Sequence, residues 1–199
     1  MNINKKFWKN KKVLITGHTG FKGGWLTVLL HTLQSNINGY ALNPEGNVNF
    51  FNRVKINKLL NKDLRKDITN FKSLKKSINE IKPEIIFHLA AQSSVIESFK
   101  NPSNTVYTNT IGTTNLLEAV KDKKFVKSVI IITTDKVYQN YRKKTYFDEN
   151  SILGGDDVYS SSKASCEIIV NSYVKSFFFN SNCNIATVRA GNCFGGGDW

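Results

Sequence analysis

"VLITGHTGFKGGWL" occupies residues 13–26 and places four glycines among fourteen residues. Val13, Leu14 and Ile15 form a short, unbroken apolar run, suited to a strand buried on both faces of a parallel sheet. From Trp25 onward Leu26, Leu29, Leu30 and Leu33 recur at helical spacing. The stretch therefore reads as strand, glycine turn, helix. Gly17, Gly20 and Gly23 stand three apart. Gly17 suits the turn itself, Gly20 lets a ligand approach the backbone, and Gly23 lets the helix pack against the strand. Free N–H groups and the dipole at the helix start favour a pyrophosphate. Glycine turns also serve as plain connections; the flanking strand and helix are what favour a dinucleotide here.

Working outward, strand-like runs alternate with helical patterns, the signature of an α/β doubly wound parallel sheet. Residues 37–42 read as a second strand and "NPEGNVNFFNRV" as an irregular loop. Phe71, Leu74, Ile78 and Ile81 mark one face of a helix that Lys82-Pro83 ends. Residues 84–91 read as strand and loop, "NTIGTTNLLEAVKD" as a helix, and residues 128–134 as the clearest buried strand. A helix over 160–179 and a strand over 184–191 follow. The chain stops at "GGGDW" directly after that strand, which reads as an interruption. The expected organisation is one dinucleotide-binding domain over 1–199, with 192–199 starting a substrate-binding part.

The chain has 199 residues, about one domain, and is 40% hydrophobic, as a soluble globular protein would be. The basic start "MNINKKFWKNKK" precedes too short an apolar stretch for a signal peptide or a membrane span, so no membrane partner is expected. Cys166, Cys183 and Cys193 form no CxxC pair, and a reducing cytoplasm is the simplest location. The formal charge of +13 could draw polyanions, but no basic helix face carries interleaved aromatics, so no nucleic-acid partner is expected. His18, His31 and His88 show no metal spacing. His31 and His88 read as packing residues, while His18 and Phe21, in the glycine turn, are candidate cofactor contacts.

Tyr159 lies four residues before Lys163. On a helix the two share a face, where an ammonium can lower the phenol pKa and make the phenolate a base near neutral pH. Such a pair also arises by chance on surfaces; the glycine turn earlier in the chain gives it weight. Thr134 closes the most apolar strand at its carboxyl end, where open α/β sheets bind ligands. Asp135 and Lys136 follow, either as loop residues turning to solvent or as an acid and a base over a substrate. The second strand ends Ala41-Leu42-Asn43-Pro44, without the carboxylate that usually holds the ribose of NAD, so NAD and NADP both stay open at this point.

Together these features resemble the extended short-chain dehydrogenase/reductases, Rossmann-like enzymes that act on nucleotide sugars. "GHTGFKGGWL", "FHLAAQSSV", "TTDKVY", "DVYSSSK" and "RAGNCFGGGDW" are most similar to the 4,6-dehydratases of that family that use CDP-glucose. The resemblance implies that Gly17, Gly20 and Gly23 hold the NAD pyrophosphate. It places Asp67 and Ile68 at the adenine, Leu89, Ala90 and Ala91 beside the nicotinamide with Asn109 behind, and Tyr159 and Lys163 at both cofactor and chemistry. Gln92, Ser93 and Asn192 fall where relatives contact the nucleotide sugar. Arg189 suits either a sugar contact or a structural strand end. The implied cycle oxidises C4, with Tyr159 as base helped by Lys163 and Thr134. It then eliminates water across C5 and C6, with Lys136 taking the C5 proton and Asp135 protonating the leaving hydroxyl, and returns hydride to C6. A lysine acting as base must be neutral, so a lowered pKa is expected at Lys136. Relatives also carry a smaller domain beyond the equivalent of Trp199 and pair as homodimers, with helices near Asn104–Lys121 and after Tyr159 as the candidate faces. The alternatives are another nucleotide-sugar 4,6-dehydratase or a 4-epimerase of the same fold, or a non-catalytic NAD-binding fragment.

Overall fold

The computed structural model describes residues 3–46, 48–140 and 146–198. The order of elements is α1 (Lys5–Trp8), β1 (Lys12–Thr16), α2 (Phe21–Thr32), β2 (Asn36–Ala41), α3 (Phe50–Val54), β3 (Lys62–Arg65), α4 (Phe71–Ile81), β4 (Ile85–His88), α5 (Val95–Lys100), α6 (Pro102–Val106), α7 (Gly112–Val120), β5 (Ser128–Ile132), α8 (Val158–Tyr173) and β6 (Asn184–Val188). The six strands form one parallel sheet in the order β3-β2-β1-β4-β5-β6. The order reverses between β1 and β4, so the crevice at their carboxyl ends is the topological switch point where such sheets bind ligands.

Strand alternation divides the core. Val13 and Ile15 of β1 face α2 with Leu30, Leu33, Ile37 and Ile85. Leu14 points to the opposite face with Ile86, Val129 and Ile131, under Leu74 and Ile78 of α4, Leu116 and Leu117 of α7 and Val170 of α8. Helices thus cover both sides, and β1 is buried from Val13 to Thr16, as its unbroken apolar run predicts.

The helix over 71–81 forms as its spacing predicts, with Leu74, Ile78 and Ile81 buried. Its start is capped by the Asn70 side chain, which accepts from the Ser73 amide, and Lys82, at φ 51°, ends it before Pro83. Two elements depart from the sequence reading. The stretch expected as irregular loop contains α3, capped by Asn49 and anchored by buried Phe50 and Phe51. The edge strand β3 is only half-buried and reads "KDLR", too polar to show an apolar run. Between α6 and α7 the helix continues as a π turn over Tyr107–Ile111, and α8 likewise runs on through a π turn at Val174–Phe178.

Among the described residues no helix is long and apolar enough to cross a membrane, and no group of three or more His, Cys, Asp or Glu could hold a metal ion. Truncating Leu74 to Ala is expected to lower unfolding free energy by about 2–5 kcal/mol, because the side chain is fully buried, while exposed Lys75→Ala should change it by less than about 0.5 kcal/mol. Urea titration of the two variants checks the packing of α4.

Candidate active site

The glycine turn leaves β1 at the switch point. Gly17 has φ 77°, a conformation that L side chains rarely adopt, and a Cβ there would stand 2.6 Å from the Ala90 amide nitrogen. A Cβ on Gly23 would run into the Gly17 carbonyl oxygen, so Gly23 lets α2 start against the turn. Gly20 differs: a Cβ there would touch nothing closer than the Gly17 oxygen at 3.5 Å. Two of the glycines are therefore required by the protein's own packing, and the third leaves backbone open on its outer side, as a close-fitting ligand needs. The start of α2 also has no side-chain cap, whereas α3, α4, α5 and α8 are capped by Asn49, Asn70, Ser94 and Asp157. Uncapped amides at this position suit a pyrophosphate.

Of the turn's side chains, Phe21 is half-buried beside Phe50, with ring centroids 6.4 Å apart. The His18 imidazole is fully buried, and Nε2 pairs with Asp63 Oδ1 at 2.9 Å, so only its backbone remains for a ligand. Burial holds its pKa below the usual value against the pull of Asp63. Asp67 is exposed at the end of the β3 segment, where its carboxylate accepts from the Thr69 amide, while Ile68 is buried in the core beside Gly112.

Across the crevice, Leu89, Ala90 and Ala91 are half-buried along the loop after β4. A buried polar chain holds this loop. The Ala90 amide donates to Thr16 Oγ1 (3.2 Å), Thr16 Oγ1 meets His88 Nδ1 (2.7 Å), and His88 Nε2 meets Thr113 Oγ1 (3.1 Å), which donates onward to the Asn109 carbonyl (2.7 Å). Since the Thr113 proton is committed to Asn109, His88 donates through Nε2 and accepts at Nδ1 from Thr16. Asn109 clasps the next residue: Oδ1 accepts from the Gln92 amide at 2.8 Å, and Nδ2 donates to the Gln92 carbonyl and to Ser162 Oγ of α8. The Gln92 side chain donates to Thr105 and to the Ser94 carbonyl, while Ser93 is exposed.

The third wall is the end of β5 against the start of α8. Thr134 is buried, caps the short turn Asp135–Val137 through a 3.3 Å bond from the Lys136 amide, donates to Asp135 Oδ1 at 3.2 Å, and lies near the Tyr159 phenol. Lys163 is buried on the same α8 face, and its Nζ donates to the Ile132 carbonyl at 3.1 Å. Lys136 Nζ lies 3.5 Å from Asp135 Oδ1 and 3.3 Å from Asn192 Oδ1. Thr134, Asp135, Lys136, Tyr159, Lys163 and Asn192 thus converge at one end of the sheet.

Two expectations need correction. The Tyr159 phenol is pushed up rather than down: burial dominates, the Thr134 hydroxyl opposes it, and Asp135 and Asp157 add to the rise. Burial also lowers the Lys163 ammonium. Lys136, expected to need a lowered pKa, is by contrast not buried: its side chain and that of Asp135 are 45% and 51% exposed. Arg189 is a structural residue in this chain, with Nη2 donating to buried Glu167 at 3.1 Å and the guanidinium 5.1 Å from the Tyr138 ring. Sequence reasoning missed Glu167, although its place four residues beyond Lys163 was the available signal. Trp199 of the terminal motif lies outside the described residues.

A family model described as GDP-mannose 4,6 dehydratase matches residues 14–192. The chain belongs to that family. Within it, a CDP-glucose 4,6-dehydratase of Salmonella typhimurium is 43% identical over 99% of this chain and 56% of its own length. A dTDP-D-glucose 4,6-dehydratase of Dictyostelium discoideum is 32% identical over 93% of this chain and 44% of its own. Among solved structures, UDP-glucuronic acid 4-epimerase from Bacillus cereus, in complex with UDP-glucuronic acid and NAD, superposes with TM-score 0.73 at 27% identity, covering 89% of this chain and 55% of that one. The chain spans about half the length of the curated relatives it matches.

Two measurements follow from this geometry. Gly23→Ala is expected to destabilise the fold in a urea titration. Gly20→Ala should leave the midpoint nearly unchanged and abolish the thermal shift that added dinucleotide produces. Separately, burial, with the Lys163 charge adding, lowers the His88 pKa to about 3. The unfolded chain, titrating near 6.5, takes up the proton first, so this contribution is complete above pH 6.5 and is lost as pH falls toward 3. Between pH 7 and pH 5 the loss is about 2 kcal/mol. His88→Phe should remove that part of the pH dependence, while lowering stability at pH 7, because the Thr16 hydroxyl proton and the Thr113 oxygen each lose their bond to the ring.

Proposed function

We propose that this chain is the cofactor-binding part of an NAD-dependent nucleotide-sugar 4,6-dehydratase whose substrate is CDP-glucose. The observation that carries the reading is the convergence of Tyr159, Lys163 and Thr134 with Asp135, Lys136 and Asn192 opposite an uncapped glycine turn. The 43% identity to a CDP-glucose 4,6-dehydratase over nearly the whole chain supports the choice of sugar nucleotide. NAD is supported by the open backbone at Gly20 and by NAD in the Bacillus cereus relative.

Bound NAD would accept hydride from C4 of the sugar and later return it to C6. Tyr159, aligned by Thr134, takes the proton of the 4-hydroxyl. The positive nicotinamide and the buried Lys163 ammonium would together offset the rise that burial imposes on the phenol. With C4 a ketone, the C5 proton is acidified, and a modest base suffices to remove it. Lys136 is assigned that proton, Asp135 donates to the departing 6-hydroxyl, and water leaves. When C6 receives hydride, Lys136 returns its proton to C5. Both side chains are half-exposed, so a covering substrate would supply the desolvation they lack. A 4-epimerase has no use for an acid and a base beside C5 and C6, and the Asp135–Lys136 pair favours dehydration on that ground.

The pairing of two copies is assigned to the face carrying α5, α6 and the π turn, where Ile96, Phe99, Val106, Tyr107 and Ile111 are exposed. There a groove of about 480 Å³ runs between Phe99, Val106 and Ser161–Ser165 of α8.

The test is mass spectrometry of CDP-, dTDP- and UDP-glucose after incubation with the chain and NAD. Loss of one water, fastest from CDP-glucose, is expected, and Tyr159→Phe should slow it about a hundredfold or more. Stabilisation by NAD without water loss from any of the three would confine the chain to cofactor binding.

A further inference from the structure

Three α8 residues spaced by four meet three consecutive residues at the end of β5. The Tyr159 phenol lies near the Thr134 hydroxyl, which works to lower its pKa, Lys163 Nζ donates to the Ile132 carbonyl at 3.1 Å, and Glu167 Oε1 accepts from Thr133 Oγ1. The first two belong to the site already described. The third is a 6% exposed carboxylate one helical turn further along α8. Its second oxygen accepts from Thr187 Oγ1 of β6 at 2.8 Å and from Arg189 Nη2 at 3.1 Å. Arg189 reaches on to the Tyr138 hydroxyl and the Glu149 carbonyl, both 3.3 Å away, in the segment that follows Lys136. A single carboxylate therefore joins the helix of the proposed base to both neighbouring strand ends and, through Arg189, to the loop continuing from the Asp135–Lys136 turn.

We propose that Glu167 is a positioning residue, which sets the end of β5 against α8 so that Thr134, Tyr159 and Lys163 meet the nicotinamide half of the cofactor in register. The proposal rests on the dinucleotide reading above. Stability alone gives no reason for a charge here, because a buried ion pair is often replaceable by apolar side chains of similar volume without loss. What apolar residues cannot reproduce is direction. Two carboxylate oxygens with fixed lone pairs hold three donors from two strands at defined angles. A shift at Thr133 passes directly to Thr134, the next residue, and to Ile132, the residue before it.

The geometry divides the cofactor in two. Its pyrophosphate and adenosine half would lie at the glycine turn and the β1–β2–β3 side of the switch point, away from Glu167. The nicotinamide half would lie toward β4, β5 and α8. The experiment uses two probes on the whole chain: ADP for the first half and NADH for both, with dissociation constants from calorimetry and NADH fluorescence. Two variants break the link differently. Thr133→Val removes the hydroxyl that Glu167 holds and leaves Glu167 paired with Arg189. The double variant Glu167→Leu with Arg189→Met replaces the buried pair by apolar volume. Expected for both are a single cooperative melt, an ADP dissociation constant within twofold of the unaltered chain, and an NADH constant raised tenfold or more. Thr133→Ser should restore NADH binding to within threefold.

If either folded variant binds NADH within twofold of the unaltered chain, the positioning role is overturned and Glu167 only stabilises. If ADP binding weakens in parallel with NADH, the effect is general loosening, and the proposal falls as well. An unaltered chain that binds neither probe would instead bring down the dinucleotide reading on which the proposal rests. Should the double variant fail to fold, Thr133→Val, nearly isosteric, decides alone.

Discussion

The arrangement at the carboxyl edge of the sheet depends on how closely the turn after β1 approaches the backbone leaving β4. At Gly17 a single methyl group would stand 2.6 Å from the Ala90 amide nitrogen. Were that contact relaxed, Thr16 could not reach both the Ala90 amide and the His88 ring, and the loop of Leu89, Ala90 and Ala91 would lose its anchor on β1. The depth of the crevice at the switch point is thus set by the absence of side-chain atoms, and one of its walls is a backbone surface held by hydrogen bonds.

Below this edge the core is conventional: branched aliphatic residues of the central strands packed under α2 on one side and under α4, α7 and α8 on the other. At the edge itself the buried groups are polar: Thr16, His88, Asn109, Thr113, Thr133 and Glu167 are each at most 6% exposed. Leaving such a group unpaired costs about 1–3 kcal/mol, and these six all have partners. Two buried atoms among the described residues do not, His18 Nδ1 and Thr110 Oγ1. The site is consequently a rigid polar lattice on an apolar base, able to hold several donors and acceptors in place without a ligand to order them.

Where periodicity and packing coincide, the sequence was readable. The strand at Val13–Ile15 and the face of Leu74, Ile78 and Ile81 both appear where spacing puts them, because an apolar stripe has one way to be buried. β3 was not legible, since an edge strand with half-exposed side chains carries no apolar signature. In the site, Gly17 and Gly23 were legible through local geometry, and Tyr159 and Lys163 through helical spacing. The inward turn of the His18 ring was not legible, because nothing in its neighbours shows that Asp63, 45 residues later, will take it. Arg189 and Glu167 went unresolved for the same reason: an ion pair across 22 residues is a property of the fold and leaves no local trace.

The π turn at Tyr107–Ile111 gives the long helical run from Pro102 to Val120 one residue more than continuous α-helical bonding requires. One extra residue turns everything beyond it by roughly 100° relative to an uninterrupted helix. Thr105, which receives Gln92, and Leu116 and Leu117, which fill the core, therefore belong to different phases of the same rod, and Asn109 sits at the dislocation between them. Deleting a single residue there would heal the helix and set its two halves in conflict: either Leu116 and Leu117 leave the sheet, or the Gln92 loop loses its clasp. Length in this segment is therefore constrained more strictly than residue identity, and a related chain sharing this architecture should vary in side chains here well before it varies in spacing.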